Sequence, residues 1–134
     1  MYMAHTSVRT SNMERSMKFY TELLDMKFVR SKEIPKSNAE IAFLESENGN
    51  LLELTWYRDQ KVFKVPEYEE VVFDHIAFVV EDMDGLLEEC RKRQVTITDE
   101  PFYLTPGGSR LAFIEDPDGT LIELLERPKP SRSG

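Results

Sequence analysis

The sequence predicts an α+β fold made of two copies of one βαβββ module, and two observations lead to this prediction. The first is an internal repeat. A shift of 70 residues lays "EIAFLESENGNLLEL", from Glu40, on "RLAFIEDPDGTLIEL", from Arg110, without a gap, and it lays His5 on His75, the only two histidines of the chain. The second is that each copy holds one stretch of helical periodicity among stretches of strand-like alternation. Such a match indicates that one module has been duplicated.

The first module, residues 1–57, begins with "AHTSVRTS", which alternates as a short strand does. Asn12 is a good N-cap for the helix that follows, "MERSMKFYTELL". Apolar residues of this helix recur at helical spacing: Met13, Met17, Tyr20 and Leu24. "KFVRSKEI" and "EIAFLES" predict two further strands, and the turn residues "NGN" predict a tight hairpin into the last strand, "LLELTWY".

The second module, residues 71–127, repeats this order. The strand "DHIAFVVE" precedes the cap residue Asp82 and the helix "MDGLLEECRKRQ", and the strands "TITDEPFYL", "RLAFIED" and "LIELLER" follow, the last two joined by the turn "DPDG". Residues 58–70 are charged, contain Pro66 and show no period, so we predict a linker. The Pro- and Ser-rich tail, 128–134, is predicted to be flexible.

Composition limits the classes of partner. The chain has 134 residues and a formal net charge of −8, and an acidic surface argues against nucleic acid or an anionic membrane as partner. No apolar run approaches the roughly 20 residues of a membrane span, and the first residues lack the pattern of a signal peptide. Cys90 is the only cysteine and can form no internal disulfide. We therefore expect a protein of a reducing, cytoplasmic setting.

Four polar residues carry the chemistry that the repeat predicts. Each module has a histidine near the start of its first strand, His5 or His75, and a glutamate inside its last strand, Glu53 or Glu123. One such histidine is usually a core or edge residue, and one such glutamate usually faces solvent. A charge in a half-buried strand is nevertheless costly unless it is paired or bound to metal, and here it occurs at matching places. The duplicated set therefore predicts a metal site.

The four side chains meet if the first and last strands of each module are neighbours and the two sheets pack face to face. Two imidazole nitrogens and two carboxylate oxygens suit a divalent ion such as Ni²⁺, Co²⁺, Zn²⁺ or Mn²⁺. An octahedral ion would keep two positions open for water or substrate, and this would make Lewis-acid chemistry available.

Nearly the whole chain, from "HTSVRTSNMERSMKFYTELLDMKF" to "AFIEDPDGTLIELLE", resembles the vicinal-oxygen-chelate superfamily and, within it, the glyoxalase I (lactoylglutathione lyase) family. The closing "EDPDG…IEL" is common across the superfamily, and the complete ligand set is the specific signal. Related extradiol dioxygenases lack an acidic ligand at the position of Glu53, and related coenzyme-A epimerases tend to have Gln there.

The resemblance implies isomerisation of the hemithioacetal of methylglyoxal and a thiol, in the family glutathione, to a 2-hydroxyacyl thioester. It implies Glu123 as the main base with Glu53 as its partner, and Arg9 as a substrate-binding residue for the carboxylate of glutathione. It also implies a homodimer with shared sites, each built from His5 and Glu53 of one chain and His75 and Glu123 of the other. The chain lacks the insertions of the eukaryotic zinc form, which favours Ni²⁺ or Co²⁺ over Zn²⁺ or Mn²⁺.

The chain differs from the family at two positions that, in the family, contact the thiol. Tyr57 stands where the family has an asparagine, and Val71 stands where eukaryotic members have an arginine. We keep Tyr57 as a candidate substrate contact and leave the thiol open. Two other functions remain at this point: a superfamily enzyme, such as an epimerase or dioxygenase, that acts on another carbonyl substrate, or a non-catalytic protein that binds a small molecule.

Overall fold

Each repeat of the sequence folds into a four-stranded mixed sheet with a helical segment on one face. The structure is a computed structural model that describes residues 1–65 and 67–130. The chain divides into two units, Met1–Pro66 and Glu67–Gly134. The predicted α+β fold of two modules is confirmed. No helix within the described ranges is long and apolar enough to cross a membrane.

The first unit has the strand order β1-β4-β3-β2. Strand β4 lies parallel to β1 and antiparallel to β3, and β3 lies antiparallel to β2. The parallel pair joins the first and last strands of the module, as the metal-site prediction requires. The elements are β1 (Thr6–Arg9), α1 (Met13–Lys18), a π-helix (Phe19–Leu23), β2 (Lys27–Ile34), a 3₁₀ turn (Pro35–Ser37), β3 (Ala39–Glu45) and β4 (Leu51–Tyr57).

The second unit repeats this topology with the strand order β5-β8-β7-β6, in which β5 and β8 are parallel. A 3₁₀ turn at Tyr68–Glu70 precedes the first strand. The elements are β5 (Ile76–Val79), α2 (Met83–Lys92), β6 (Ile97–Tyr103), β7 (Arg110–Glu115) and β8 (Leu121–Glu126).

In each unit one face of the sheet is apolar and buried, and the opposite face carries the candidate site. Side chains alternate between faces along a strand. In the first unit Leu52 and Leu54 are buried, whereas Glu53 between them is not. In the second unit Ile122 and Leu124 are fully buried on either side of Glu123. The buried residues of the helical segments complete these cores: Phe19, Tyr20 and Leu23 in the first unit, and Met83, Leu87 and Cys90 in the second.

The first helix differs from its prediction. We predicted one helix through Leu24, but α1 ends at Lys18 and a π-helical turn follows, closed by a hydrogen bond from Leu24 N to Phe19 O. The hydroxyl of Thr21 donates to Met17 O at 2.7 Å. Such a side-chain bond competes with the backbone hydrogen bonds of the α-helix. The π-helical turn, in which each N–H bonds to the carbonyl five residues earlier, contains one residue more than an α-helical turn.

Two other differences are smaller. His5 and His75 lie directly before β1 and β5 instead of inside the strands. The segment 58–70, predicted to be a linker without regular structure, contains the turn Tyr68–Glu70, which a capping box at Glu67 stabilises. Pro66 and the last four residues of the predicted tail, 131–134, lie outside the described residues. The predicted module bounds stay predictions.

Candidate metal centre

The parallel pairing of β1 with β4 brings the first histidine and the first glutamate together. Ser7 pairs in register with Glu53, and His5 precedes it on the same face of the sheet. His5 Nε2 lies 3.3 Å from Glu53 Oε2. The imidazole is 37% exposed and the carboxylate 16% exposed, so the pair sits at the surface of its own unit and remains accessible to a ligand.

Two hydroxyl groups hold the other oxygen of Glu53. Ser7 Oγ donates to Oε1 at 3.0 Å, Thr55 Oγ1 donates to the same oxygen at 2.7 Å, and the two hydroxyl oxygens are themselves 3.0 Å apart. We did not identify these two residues from the sequence. The signal was available, because each lies two positions from a predicted ligand and therefore on the same face of its strand.

The second unit forms an equivalent pair. His75 Nε2 lies 2.7 Å from Glu123 Oε2, and the neighbouring strand residue Ala77 pairs in register with Glu123. On its other side, His75 Nδ1 lies 2.6 Å from Asp74 Oδ1. A carboxylate at Nδ1 orients an imidazole so that Nε2 can bind a metal ion. Asp74 is the third residue of the site that sequence reasoning missed.

The two pairs differ in what surrounds them. The 70-residue shift lays Ser7 on Ala77 and Thr55 on Leu125. Alanine and leucine have no hydroxyl group, so the two bonds that hold Glu53 have no counterpart at Glu123. The aromatic contacts of the two histidines, by contrast, are equivalent. Phe43 meets the His5 ring edge-on at 5.2 Å between centroids, and Phe113 meets the His75 ring at 5.7 Å.

The two predicted substrate contacts lie against each other in the first unit. The Cζ atom of Arg9 is 4.7 Å from the centre of the Tyr57 ring, and Arg9 Nη1 donates to Gln60 Oε1 at 3.3 Å. A pocket of about 160 Å³ borders Tyr57, Gln60 and Lys61. Tyr57 lies four positions after Glu53 along β4, which corresponds to a distance of about 13 Å.

The donor atoms suit a divalent cation, and each unit supplies two of them. Imidazole nitrogen with carboxylate oxygen is a common ligand combination for such ions. Within residues 1–65 and 67–130, no group of three or more His, Cys, Asp or Glu side chains is placed so that it could hold a metal ion.

Cys90 does not contribute to the site, because it is buried beneath the second sheet and burial raises the pKa of its thiol to about 11. A thiol that stays protonated at neutral pH is a poor ligand and a poor nucleophile.

Comparisons with known proteins show the family of the chain. The sequence model described as Glyoxalase/Bleomycin resistance protein/Dioxygenase superfamily matches residues 2–124. A lactoylglutathione lyase of Haemophilus influenzae is 35% identical over 138 residues, which cover 100% of this chain and 98% of that protein. A lactoylglutathione lyase of Arabidopsis thaliana is 34% identical over 131 residues, and there the match covers 94% of this chain but only 44% of the plant protein.

A solved structure is similar as well. It is described as the trypanothione-dependent glyoxalase I of Leishmania major, and it superposes with a TM-score of 0.77 at 36% sequence identity. The match covers 94% of this chain and 86% of that one. The likeness therefore extends over both sheets and is not confined to one module.

Proposed function

The chain belongs to the Glyoxalase/Bleomycin resistance protein/Dioxygenase superfamily, and from this premise we propose that it is a metal-dependent lyase of the glyoxalase I type. Its reaction would convert the hemithioacetal of a 2-oxoaldehyde and a thiol into a 2-hydroxyacyl thioester. Relatives named lactoylglutathione lyase, matched over almost their full length in bacteria, support this activity. Methylglyoxal is the proposed aldehyde.

One observation carries the proposal: each unit brings its histidine Nε2 and a glutamate oxygen together, at 3.3 Å in one and 2.7 Å in the other. We propose that His5 and Glu53 from one unit and His75 and Glu123 from another hold one divalent ion. When bound, that ion supplies electrostatic stabilisation of the negative charge that develops on the substrate oxygens. Ni²⁺ or Co²⁺ is the proposed metal, with Zn²⁺ or Mn²⁺ as the other candidates.

The two glutamates would then have different roles in the proton transfer. Glu123 removes the proton from the carbon that carries the sulfur and returns it to the neighbouring carbon, so the substrate is isomerised without gain or loss of atoms. Glu53 is the partner carboxylate, and the hydroxyls of Ser7 and Thr55 restrict its movement. Glu123 has alanine and leucine at the corresponding positions, which supports its assignment as the carboxylate that moves.

Arg9 and Tyr57 are the proposed contacts for the far end of the thiol. The guanidinium group carries the positive charge that a carboxylate requires. Arg9 lies about 13 Å along β1 from His5 and pairs with Thr55, two positions from Glu53, which suits an extended thiol. The tyrosine ring lies under the guanidinium and limits its rotation.

The test combines metal binding with turnover. Metal-free protein is titrated with Ni²⁺, Co²⁺, Zn²⁺ and Mn²⁺, and thioester formation from methylglyoxal is followed with several thiols. We expect one ion per four-ligand set, and loss of tight binding in the variants His5→Ala and His75→Ala. The matched control is Glu40→Gln, which changes a carboxylate on the opposite face of the sheet and should leave binding unchanged.

Two outcomes of this test would support a different function. A fully metallated protein that turns over no thiol adduct would favour an enzyme that acts on a different carbonyl substrate. A protein that binds no metal at any pH above 7 would favour a binding protein of the same fold.

A further inference from the structure

We infer that Arg30 is a second anion-binding residue of the candidate site, so that the first unit binds a thiol with a carboxylate on each side of its sulfur. This inference rests on the proposed function and adds a residue of this chain that would help to select the thiol. Arg30 lies on the edge strand β2, far in sequence from the four proposed ligands. Its position relative to Glu53 follows from the register of the sheet.

Four residues form one row across the first sheet. Ser7 on β1 pairs with Glu53 on β4, Glu53 pairs with Phe43 on β3, and Phe43 pairs with Arg30 on β2. Residues that pair in register point to the same face of a sheet. Adjacent strands are about 4.8 Å apart, so the backbone of Arg30 is about 10 Å from that of Glu53. An arginine side chain can cover much of this distance.

A β-bulge is the reason that Arg30 points to this face. The pairing passes from Phe28 with Leu44 directly to Arg30 with Phe43, so Val29 is an additional residue in β2. If the ladder continued regularly from Phe28, Val29 would pair with Phe43 and Arg30 with Ala42, which is completely buried in the core on the opposite face. Bulges of this kind redirect side chains and are frequent beside active sites.

The Arg30 guanidinium lies over the ring that also contacts His5. Its Cζ atom is 4.4 Å from the centroid of Phe43, and the same ring meets the imidazole of His5 edge-on. A guanidinium stacked on an aromatic face keeps its N–H donors in its own plane, where they remain available to a carboxylate. Arg9 has the same arrangement on Tyr57.

Charge pairing separates Arg9 and Arg30 from several other arginines. Within the described part of the chain, no acidic side chain pairs with either of them. By contrast, acidic partners lie within 2.9 Å of four arginines in a protein whose net charge is −8: Arg58, Arg91, Arg93 and Arg110. A stacked guanidinium beside the proposed reaction centre, without a neutralising acid, is suited to an anionic group of the substrate.

The sheet order places the strand that carries Glu53 between the strands of the two cations. The order is β1-β4-β3-β2, with Arg9 on β1, Glu53 on β4 and Arg30 on β2. A thiol bound with its sulfur near Glu53 would therefore extend one anionic arm towards each arginine.

At the corresponding strand positions of the second unit, all of them within the described residues, there is no such pair of cations. Asp99 pairs with Phe113 in the corresponding row, and the ring of Phe102 stacks on Phe113 at 6.5 Å. The 70-residue shift lays Arg9 on Val79. Anion recognition by this arrangement is thus proposed for the first unit only.

The experiment compares Arg30→Ala with the matched control Arg58→Ala. Arg58 also lies over an aromatic ring, that of Trp56, but on the other face of the sheet, where Glu33 neutralises it. The probes are S-methylglutathione, which does not react, for equilibrium binding to the metallated protein, and the methylglyoxal adducts of glutathione and of cysteine for turnover. Glutathione has two carboxylates and cysteine has one.

We expect Arg30→Ala to weaken S-methylglutathione binding by about 10-fold or more, the effect of losing one charge-assisted hydrogen bond. KM for the glutathione adduct should rise with little change in kcat, and Arg30→Lys should recover part of the loss. Arg58→Ala should bind like the wild type. Arg30→Gln, which keeps the length of the side chain, replaces Arg30→Ala if the alanine variant does not fold.

Two failures can be told apart. If the wild type turns over the glutathione adduct and Arg30→Ala and Arg30→Gln bind S-methylglutathione within twofold of it, the inference is wrong and the proposed function stands. Equal kcat/KM of the wild type for the cysteine and glutathione adducts would also overturn the inference. If the metallated wild type acts on no thiol adduct, the proposed function fails and the inference fails with it.

Discussion

At the scale of single residues, two carboxylates at equivalent positions have different surroundings. Glu53 Oε1 accepts hydrogen bonds from Ser7 and Thr55, whereas the corresponding residues beside Glu123 are Ala77 and Leu125. A carboxylate that is held by two hydroxyls is suited to be a fixed ligand. One without them can change its position during proton transfer at a smaller energetic cost. The sequence repeat therefore supplies two similar groups, and their neighbours differentiate them.

The variant Glu123→Gln tests this division of roles. Glutamine keeps an oxygen that can bind the metal but has no basic carboxylate, so the metal should remain largely bound while kcat falls by about 10²–10⁴-fold. Metal content after gel filtration and steady-state turnover measure the two effects. Glu53→Gln is the matched comparison and should retain more activity. A larger loss of kcat in Glu53→Gln than in Glu123→Gln would assign the main base to the first unit.

At the scale of secondary structure, each helical segment begins at a capped N-terminus. Asn12 Oδ1 accepts a hydrogen bond from Arg15 N, and Asp82 Oδ1 accepts one from Gly85 N, both at 3.0 Å. The two caps correspond under the 70-residue shift, so this feature of the module is maintained in both copies. The hairpin turns correspond as well, since Gly49 and Gly119 have φ angles of 89° and 91°, a region that favours glycine.

Removal of the cap at Asp82 should destabilise the second unit. Asp82→Ala leaves backbone N–H groups at the start of α2 without their side-chain acceptor, and we expect the free energy of unfolding to fall by about 1 kcal/mol. Denaturant unfolding followed by circular dichroism measures this change. Asp82→Asn keeps the acceptor oxygen and serves as the control. Equal destabilisation by both substitutions would mean that the charge of Asp82, and not the hydrogen bond, stabilises the helix.

At the scale of the whole molecule, each unit has its own sheet, its own core and one histidine–glutamate pair. A four-ligand site therefore needs two units, and the proposed homodimer would combine the first unit of one chain with the second unit of its partner. Sharing of this kind lets two defective chains complement each other, because a mixed dimer contains one site with all four ligands.

Complementation tests the shared site directly. His5→Ala and His75→Ala should each be inactive alone, and mixing them under conditions in which subunits exchange should restore up to about half of the wild-type activity per mixed dimer. Exchange is verified independently with two differently labelled chains. Activity that does not return after verified exchange would show that each site is built within one chain. A mixture of two His5→Ala preparations is the matched negative control.

Features that depend on local pattern could be predicted from the amino-acid sequence. The strands, the two caps, the glycine turns and the four polar residues of the candidate site follow from alternation, helical spacing and the 70-residue repeat. Each of these signals is contained in a few neighbouring residues or in a comparison of the chain with itself. The family was recognisable for the same reason, and its fold is confirmed.

Contacts between residues that are distant in sequence could not be predicted in this way. The bond from Ser7 to Glu53, the contact of Arg9 with Tyr57 and the row that ends at Arg30 all depend on the register between strands that are far apart in sequence. The extra residue Val29 changes that register by one position, and a change of one position transfers a side chain to the opposite face of the sheet. No local pattern reports such a change, because the pairing of strands is established by packing across the whole sheet.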